Sequence, residues 1–507
     1  MSKRERWGVL AIVSSALFLI CVDVTVLYTA LPRLTQDLGA SAAQKLWILN
    51  AYPLVVAGLL PGMGTLGDRI GYKPLFMGGL VVFGIASLIA AFAPTPPVLI
   101  AGRALLAVGA AMMMPATLSI IRHVFEDERE RAIAFGVWAG VASGGAALGP
   151  VLGGALLEVF WWGSVFLINA PIVLVALIAA HFKTPALKPS GGPPWDLVGS
   201  AQIMVGLIAL AFAVKEAAQH SPSLAAVAAA LLLGAAALTL FARRQRRARH
   251  PLIDFALFRR PLFAAGVATA VVAMVAMIGV ELALSQRLQL VLGYTPLQAG
   301  LFLLPVPLGA FLAGPLAGWL MGRAPVARML GAPLALTGLG AAGLLAAGDA
   351  GESAGIALQL AALGVVGVGI GAAMTAASAT IMTTAPAERA GMAASIEETS
   401  YELGGAVGVA LMGALMTAVY GAAFVAPAGG VFPAAAFEGI DQALSVAAAM
   451  PGAEGDALAA AARAAFDRAF EAVCALAAAL MLAAGLALWR VAGRKAGAGA
   501  ASRQAAS

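Results

Sequence analysis

The chain has 507 residues, of which 61% are hydrophobic and 11% charged, with a formal net charge of +6 and a mean hydropathy of +0.93. Soluble domains carry about 25% charged residues, so this composition excludes a water-soluble globular protein. Four His and only two Cys (Cys21 and Cys474, both within apolar runs) exclude most haem, iron–sulfur and zinc sites, which need clustered ligands; no cofactor and no metal is expected.

Crossing a bilayer takes roughly 20 apolar residues. Fourteen segments qualify: 8–31, 45–66, 74–94, 97–121, 132–158, 163–182, 197–215, 222–242, 261–284, 297–321, 329–348, 354–380, 391–420 and 468–490. The expected fold class is therefore an all-α integral membrane protein. The first segment follows MSKRERW, but its apolar core is too long for a signal peptide, and Asp23 and Thr25 stand where cleavage would be prepared. Most Lys and Arg fall on one side when the N-terminus is cytoplasmic, which places both termini inside. The run RRQRRARH, residues 243–250, reads as a topology anchor on a central cytoplasmic loop rather than a nucleic-acid site.

The segments group as six, two and six: a bundle in 1–182, two extra helices and a basic loop in 183–260, a second bundle in 261–490, and a tail in 491–507. A substrate path between the bundles is expected, as in transporters built from repeats. GTLGDRIGYK after the second segment has a faded counterpart, GPLAGWLMGR, with Gly318 near the place of Asp68. The long external stretch 421–467 opens GAAFVAPAGGVFP and continues with a helical ALAAAARAAFDRAF; it is either a cover for the outer mouth or a passive linker. No phosphate-loop motif is present, so ATP is not the energy source on this chain. Nor is there a nucleophile–base pair, so no enzyme is expected.

Function must come from the charges inside the spans, each of which costs about 2.5–3.5 kcal/mol at the bilayer centre. Asp23 lies roughly 22 Å into the first span and Glu402 roughly 17 Å into the thirteenth, at 1.5 Å per residue. Glu397, Glu398 and Glu402 fall within AASIEETSYELGGAVG, residues 393–408. Glu398 and Glu402 share a helical face, while Glu397 points about 100° away, toward Tyr401. Crowded carboxylates in a low dielectric hold protons readily and release them when a cation arrives, which is what exchange of a proton for a cation requires. Asp23 either pairs with Arg103, becoming structural or a gate, or titrates. Glu281, four residues before Ser285, either joins the coupling acids or reaches the interface. Aromatic faces attract organic cations, which nominates Tyr28, Tyr52, Trp138, Trp319 and Tyr401, whereas Trp47, Trp161 and Trp162 are assigned to the interfacial belt. GGAALGPVLGGAL, with Gly145, Gly149, Pro150, Gly153 and Gly154, lets backbones touch and allows a kink.

These motifs together resemble the major facilitator superfamily, in its fourteen-span drug:proton antiporter branch. GTLGDRIGYKPLF, with Asp68 and Arg69, resembles the family's latch between spans 2 and 3. LIAGRALLAVGAA places Arg103 at the position implicated in proton transfer, with Leu106 and Ala107 where Gln and Gly are usual. GPVLGG resembles the antiporter motif, and CVDVTVLYTALP the first-span signature with Asp23 in the acidic position. Within the branch, VDVTVL, LWILNAY, GSVFLINAPIVLV and EETSYELG are similar to quaternary-ammonium efflux pumps of the QacA and SmvA type. The resemblance implies two six-helix bundles plus two central helices, a proton-coupled exporter of lipophilic cations (quaternary ammonium compounds, dyes, biguanide-type antiseptics), an inner-membrane location and a working monomer. The resemblance places Asp23, Glu397, Glu398 and Glu402 at its acidic positions; with Glu281 from the residue reading these are the candidate coupling acids, and the candidate cavity wall comprises Tyr28, Asn50, Tyr52, Trp138, Asn169 and Tyr401. Asn50 and Ala310 stand where relatives carry acids, which implies weaker recognition of dications. The competing readings are an exporter of one metabolite and a non-transporting membrane sensor.

Overall fold

The computed structural model describes residues 1–40, 42–185, 196–217, 223–249, 251–347, 352–386, 389–426, 432, 439–450 and 452–504. Among these, every helix or strand element is helical: α1 (Lys3–Asp37), α2 (Ala42–Ile70), α3 (Tyr72–Ala91), α4 (Pro96–Val124), α5 (Glu128–Val159), α6 (Ser164–Leu167), α7 (Asn169–Lys183), α8 (Leu197–Ala217), α9 (Leu224–Arg247), α10 (Pro261–Gln286), α11 (Pro296–Leu303), α12 (Pro305–Leu320), α13 (Val326–Ala346), α14 (Glu352–Thr384), α15 (Ala390–Ala423), α16 (Ile440–Ala449) and α17 (Ala453–Gln504). All fourteen apolar segments fall on helices. Among the described residues, ten helices are long and apolar enough to cross a membrane, or eleven when a bent α5 counts as one span. A number of large apolar side chains face outward, among them Leu232, Leu312, Val175 and Phe182, a surface suited to lipid rather than water.

Local chemistry sets the helix ends. The Asp127 carboxylate accepts from the backbone N–H of Arg129 and Glu130 to start α5, and Thr295 and Gln298 form a reciprocal capping box before α11. Gly71, at φ 94°, turns the chain sharply between α2 and α3. Pro305 divides α11 from α12 because it offers no N–H to the preceding turn. In α5 the axis bends by 42° between Ala146 and Val151, where the sequence places Pro150; the side chain of Pro150 lies outside the described residues.

Helices α1 and α5, α3 and α4, and α2 and α4 pack together in the first part of the chain. In the last part α12 and α13 pack on α14, α13 on α17, and α10 on α15. Helix α8 lies against α2 and carries α9 on it. The two parts meet along α2 with α15 and α5 with α12, and both seams run over glycine. A Cβ on Gly391 would press into the Gly64 carbonyl, and one on Gly314 into that of Gly136. Gly318, the faded counterpart of Asp68, lies against the Ala132 carbonyl. Side-chain-free backbones approach this closely only through such residues.

One expectation needs correction. The alanine-rich piece, expected to be helical, is so: it opens α17, which runs unbroken from Ala453 into the segment 468–490. Together with α16 and the end of α15 it encloses a small separate core of Tyr420, Phe424, Ile440, Leu458 and Phe466, tied to the end of α10 by Arg287–Asp467 at 2.6 Å. Part of the GAAFVAPAGGVFP stretch lies outside the described residues. Trp162, expected in the interfacial belt, is instead buried in the main core; Trp47 and Trp161 are exposed.

Candidate functional site

The first group of charges lies among α1, α2, α4 and α7. Arg103 Nη1 donates to Asp23 Oδ2 at 2.6 Å, and both side chains are fully buried. Asn169 Nδ2 donates to Asp23 Oδ1 at 3.0 Å and approaches Ser87 Oγ at 3.3 Å. The Arg103 guanidinium stacks over the Tyr52 ring, 4.7 Å from its centroid. The sequence left Asp23 open between pairing and titrating; the geometry pairs it. Partial charge compensation and hydrogen bonds are what allow a carboxylate to remain this deep. Asn169, read as cavity wall, belongs to the Asp23 cage. Ser87 was missed, and its signal was its isolation as a polar residue within the apolar third segment.

The second group lies on α15. Glu397 is held inside the second bundle, where the Ser378 hydroxyl of α14 donates to Glu397 Oε1 and the Tyr401 hydroxyl donates to the same oxygen at 3.1 Å. Tyr401, read as cavity wall, is thus a partner of Glu397. Glu398 is buried, and its Oε1 has no hydrogen-bond partner; Glu402, one turn on, is half-buried. Both lie within electrostatic reach of Cys21 on α1, and Glu402 within reach of Tyr52 on α2. Two acids on one face of α15 therefore lie within reach of α1, and Glu402 of α2 as well. The 100° offset separated Glu397 from the other two in the sequence, but Ser378, nineteen positions away on α14, carried no such signal.

The remaining candidates are dispersed. Asp68 accepts from the Gly391 N–H at 3.3 Å, at the first turn of α15, and from the Tyr72 hydroxyl. Arg122 reaches across to the Ala385 carbonyl at 2.7 Å, so this end of the two bundles is joined. Arg69 is exposed. Gly145 and Gly149 pack on α1, against Phe18, Cys21 and Thr25. Gly153 is buried, while a Cβ on Gly154 would meet nothing within 4 Å. Trp138, read as cavity wall, is buried and donates to Thr117 Oγ1 at 3.1 Å; it does not line the described cavities. Trp319 stacks under Arg323 at 3.5 Å. Glu281, exposed by surface area, lines a cavity of about 100 Å3 between the second bundle and Ala146 of α5. The side chains of Tyr28 and Asn50 lie outside the described residues.

Comparison with known proteins agrees with this architecture. The family model described as Major Facilitator Superfamily matches residues 13–409. The chain is 40% identical over 487 residues to the methyl viologen resistance protein SmvA of Salmonella typhimurium, covering 96% of this chain and 98% of that one. It is 39% identical over 485 residues to the multidrug efflux pump LfrA of Mycolicibacterium smegmatis, covering 95% of each. In fold it is similar to the human organic anion transporter MFSD10, with a TM-score of 0.65 over 96% of this chain and all of that one, at 13% identity. The buried acids at a glycine-lined seam between helical bundles thus belong to a multi-pass membrane transporter and not to an enzyme: this chain is a member of the major facilitator superfamily.

Proposed function

We propose that this chain is a proton-coupled multidrug exporter of lipophilic organic cations, including quaternary ammonium compounds, dyes and biguanide-type antiseptics. The observation that carries the reading is the pair Glu398 and Glu402, turned across the seam toward Cys21 and Tyr52, with one Glu398 oxygen unpartnered. A buried carboxylate without a fixed cation is held best by a proton or by a charged cargo. The names of SmvA and LfrA support the same direction.

In this reading fourteen spans form bundles in 1–182 and 261–490 around the cargo path, with 183–260 as the two extra helices. The chain works as a monomer in the inner membrane with both termini cytoplasmic. The Asp68–Gly391 end is then the cytoplasmic end, and the contacts there support a state closed toward the cytoplasm. Cargo enters when this latch opens, pairs with Glu398 or Glu402, and is displaced by protons when the opposite end opens. Asp23, compensated by Arg103, acts as a gate, and Glu397 positions the acids through α14. Each proton supplies about 1.4 kcal/mol per pH unit and about 2.3 kcal/mol per 100 mV. One proton exchanged for one monocation moves no net charge, so only the pH gradient drives that stoichiometry.

The test is ethidium uptake into inverted vesicles under an imposed pH gradient, with and without a protonophore. Gradient-dependent uptake that benzalkonium competes for, and that the protonophore abolishes, is the expected result. Uptake indifferent to the gradient overturns the coupling, and absence of competition points to a single-metabolite exporter.

A further inference from the structure

The side chains around Asp23 have hydrogen-bond roles that can be read one from another, beginning on α3. The Ser87 hydroxyl donates its single hydrogen to the Phe83 carbonyl at 2.8 Å, so toward any other neighbour it acts as an acceptor. What it faces, at 3.3 Å, is the Asn169 amide nitrogen of α7. That fixes how the amide is turned, since a nitrogen and not an oxygen must point at Ser87. The same nitrogen gives its second hydrogen to Asp23 Oδ1 at 3.0 Å, while Arg103 Nη1 donates to Oδ2 at 2.6 Å. Ser87, Asn169 and Asp23 are all fully buried. Both oxygens of Asp23 thus receive N–H groups, an arrangement that favours the ionised form over the protonated one.

The other elements around α1 leave this cage to itself. Helix α5 meets α1 here through Gly145 and Gly149, and α6 carries no ionisable residue. Arg122 and His123 of α4, and His181 and Lys183 of α7, stand in the last turns of their helices. On α1 itself Arg33 lies farther along, where it donates to the Leu157 carbonyl. On α2 the Tyr52 ring lies beneath the Arg103 guanidinium. On α15, Glu398 and Glu402 act on Cys21, and Glu402 on Tyr52.

One atom in the cage is idle: Asn169 Oδ1 is buried without a hydrogen-bond partner. A buried acceptor left unused calls for an account, and a protonated Asp23 supplies one. Its O–H needs an acceptor, and neither a guanidinium nor an amide nitrogen is one. Turned over, the Asn169 amide would set Oδ1 against Asp23. The Ser87 hydroxyl, swinging off Phe83, would donate to the same oxygen. The swing costs little, because a serine bond back to its own helix is a weak one. An amide can therefore serve both forms of the carboxyl, which neither a hydroxyl-free nor a charged side chain of that size can do.

We propose that Asn169 and Ser87 are positioning residues that set the proton occupancy of Asp23: in this arrangement they hold it ionised, and the Asn169 amide turns over when Asp23 takes up a proton. The part this plays in transport rests on the exporter reading, but the hydrogen-bond switch does not.

The experiment is an infrared pH titration of the full chain in lipid nanodiscs. Subtracting the spectrum of the matching protein with Asp23→Asn isolates the carbonyl band of protonated Asp23. Asn169→Leu keeps the bulk and loses both donor and acceptor, and the bond to the ionised form is the stronger of the two lost. The band should therefore grow in at a pH about one unit higher than in the wild type, about a tenfold gain in proton affinity. Ser87→Ala should move it in the same direction by roughly threefold, and Ser87→Thr, which keeps the hydroxyl, should titrate as the wild type does. A folded Asn169→Leu whose band titrates as in the wild type, or at lower pH, overturns the proposal. If Asn169→Leu does not fold, an unmoved midpoint in Ser87→Ala overturns it. Lowered thermal stability with an unmoved midpoint also overturns it, because the two residues would then serve packing alone. Vesicles without gradient-driven uptake, with the infrared shift intact, sink the transport reading alone.

Discussion

Asp23 on α1 and Arg103 on α4 meet at 2.6 Å with side chains 0% and 1% exposed. Breaking one partner of a buried pair leaves an uncompensated charge and costs about 3–5 kcal/mol, whereas removing both costs much less. Asp23→Asn and Arg103→Gln are each expected to lower the Tm of the purified protein strongly, with the double variant recovering part of the loss. Strict additivity of the two single losses in thermal unfolding would show that the pair does not interact.

The α15 acids are expected to separate by role. Glu398→Gln and Glu402→Gln should insert and fold but lose pH-gradient-driven uptake in inverted vesicles. Ser378→Ala, which removes a donor to Glu397, should lower stability by about 1 kcal/mol and keep more than half of the transport rate. Wild-type transport in Glu398→Gln would remove that residue from coupling, and abolished transport in a stable Ser378→Ala would move Glu397 into it.

At the α2–α15 seam, a methyl group is enough to obstruct. Gly391→Ala places a Cβ against the Gly64 carbonyl, whereas Gly413→Ala on the same helix meets nothing within 4 Å. Transport assays are expected to show at least a tenfold loss for the first and near wild-type rates for the second. Equal rates for the two would mean that transport does not require the close approach of α2 and α15 at this seam.

The α8–α9 pair has an acid-sensitive clasp. Arg244 hydrogen-bonds Asp196 through Nε and Nη2 at 2.9–3.0 Å and holds its carboxyl below the usual carboxylate range. The folded value lies below the unfolded one, about 3.9, so the added stability is present above that pH and is lost as pH falls through the folded value. Because Arg244 is exposed, solvent screens the pair and the effect is small. Tm measured from pH 5 to pH 3 should fall less steeply in Asp196→Asn than in the wild type; parallel curves would discount the clasp.

The helices were legible because apolar runs of spanning length need no partner to declare themselves, and all fourteen segments lie on helices. The charged positions were legible for the same reason, since a carboxylate in such a run has few explanations. Partners across helices were not. Nothing in the local sequence links Asn169 to Asp23, or Ser378 to Glu397, because each bond depends on how separate helices pack. Trp138 and Trp162 show the reverse error. An aromatic ring reads as cavity wall or interfacial belt, yet Thr117 and the main core claim these two. The continuity of α17 into the stretch before the last span was hidden because alanine-rich sequence forms helix equally well in membrane and in water.

The glycine seams divide the chain's future between two kinds of position. Where Gly64 faces Gly391 and Gly136 faces Gly314, the rubbing surfaces are bare main chain, and almost any replacement acts as a wedge. The residues around Glu281 are ordinary apolar side chains that can be swapped for others of similar bulk. In the exporter reading, repertoire can therefore drift under selection while the moving parts stay frozen, and tolerance of an unfamiliar compound should arise through such walls rather than the joints.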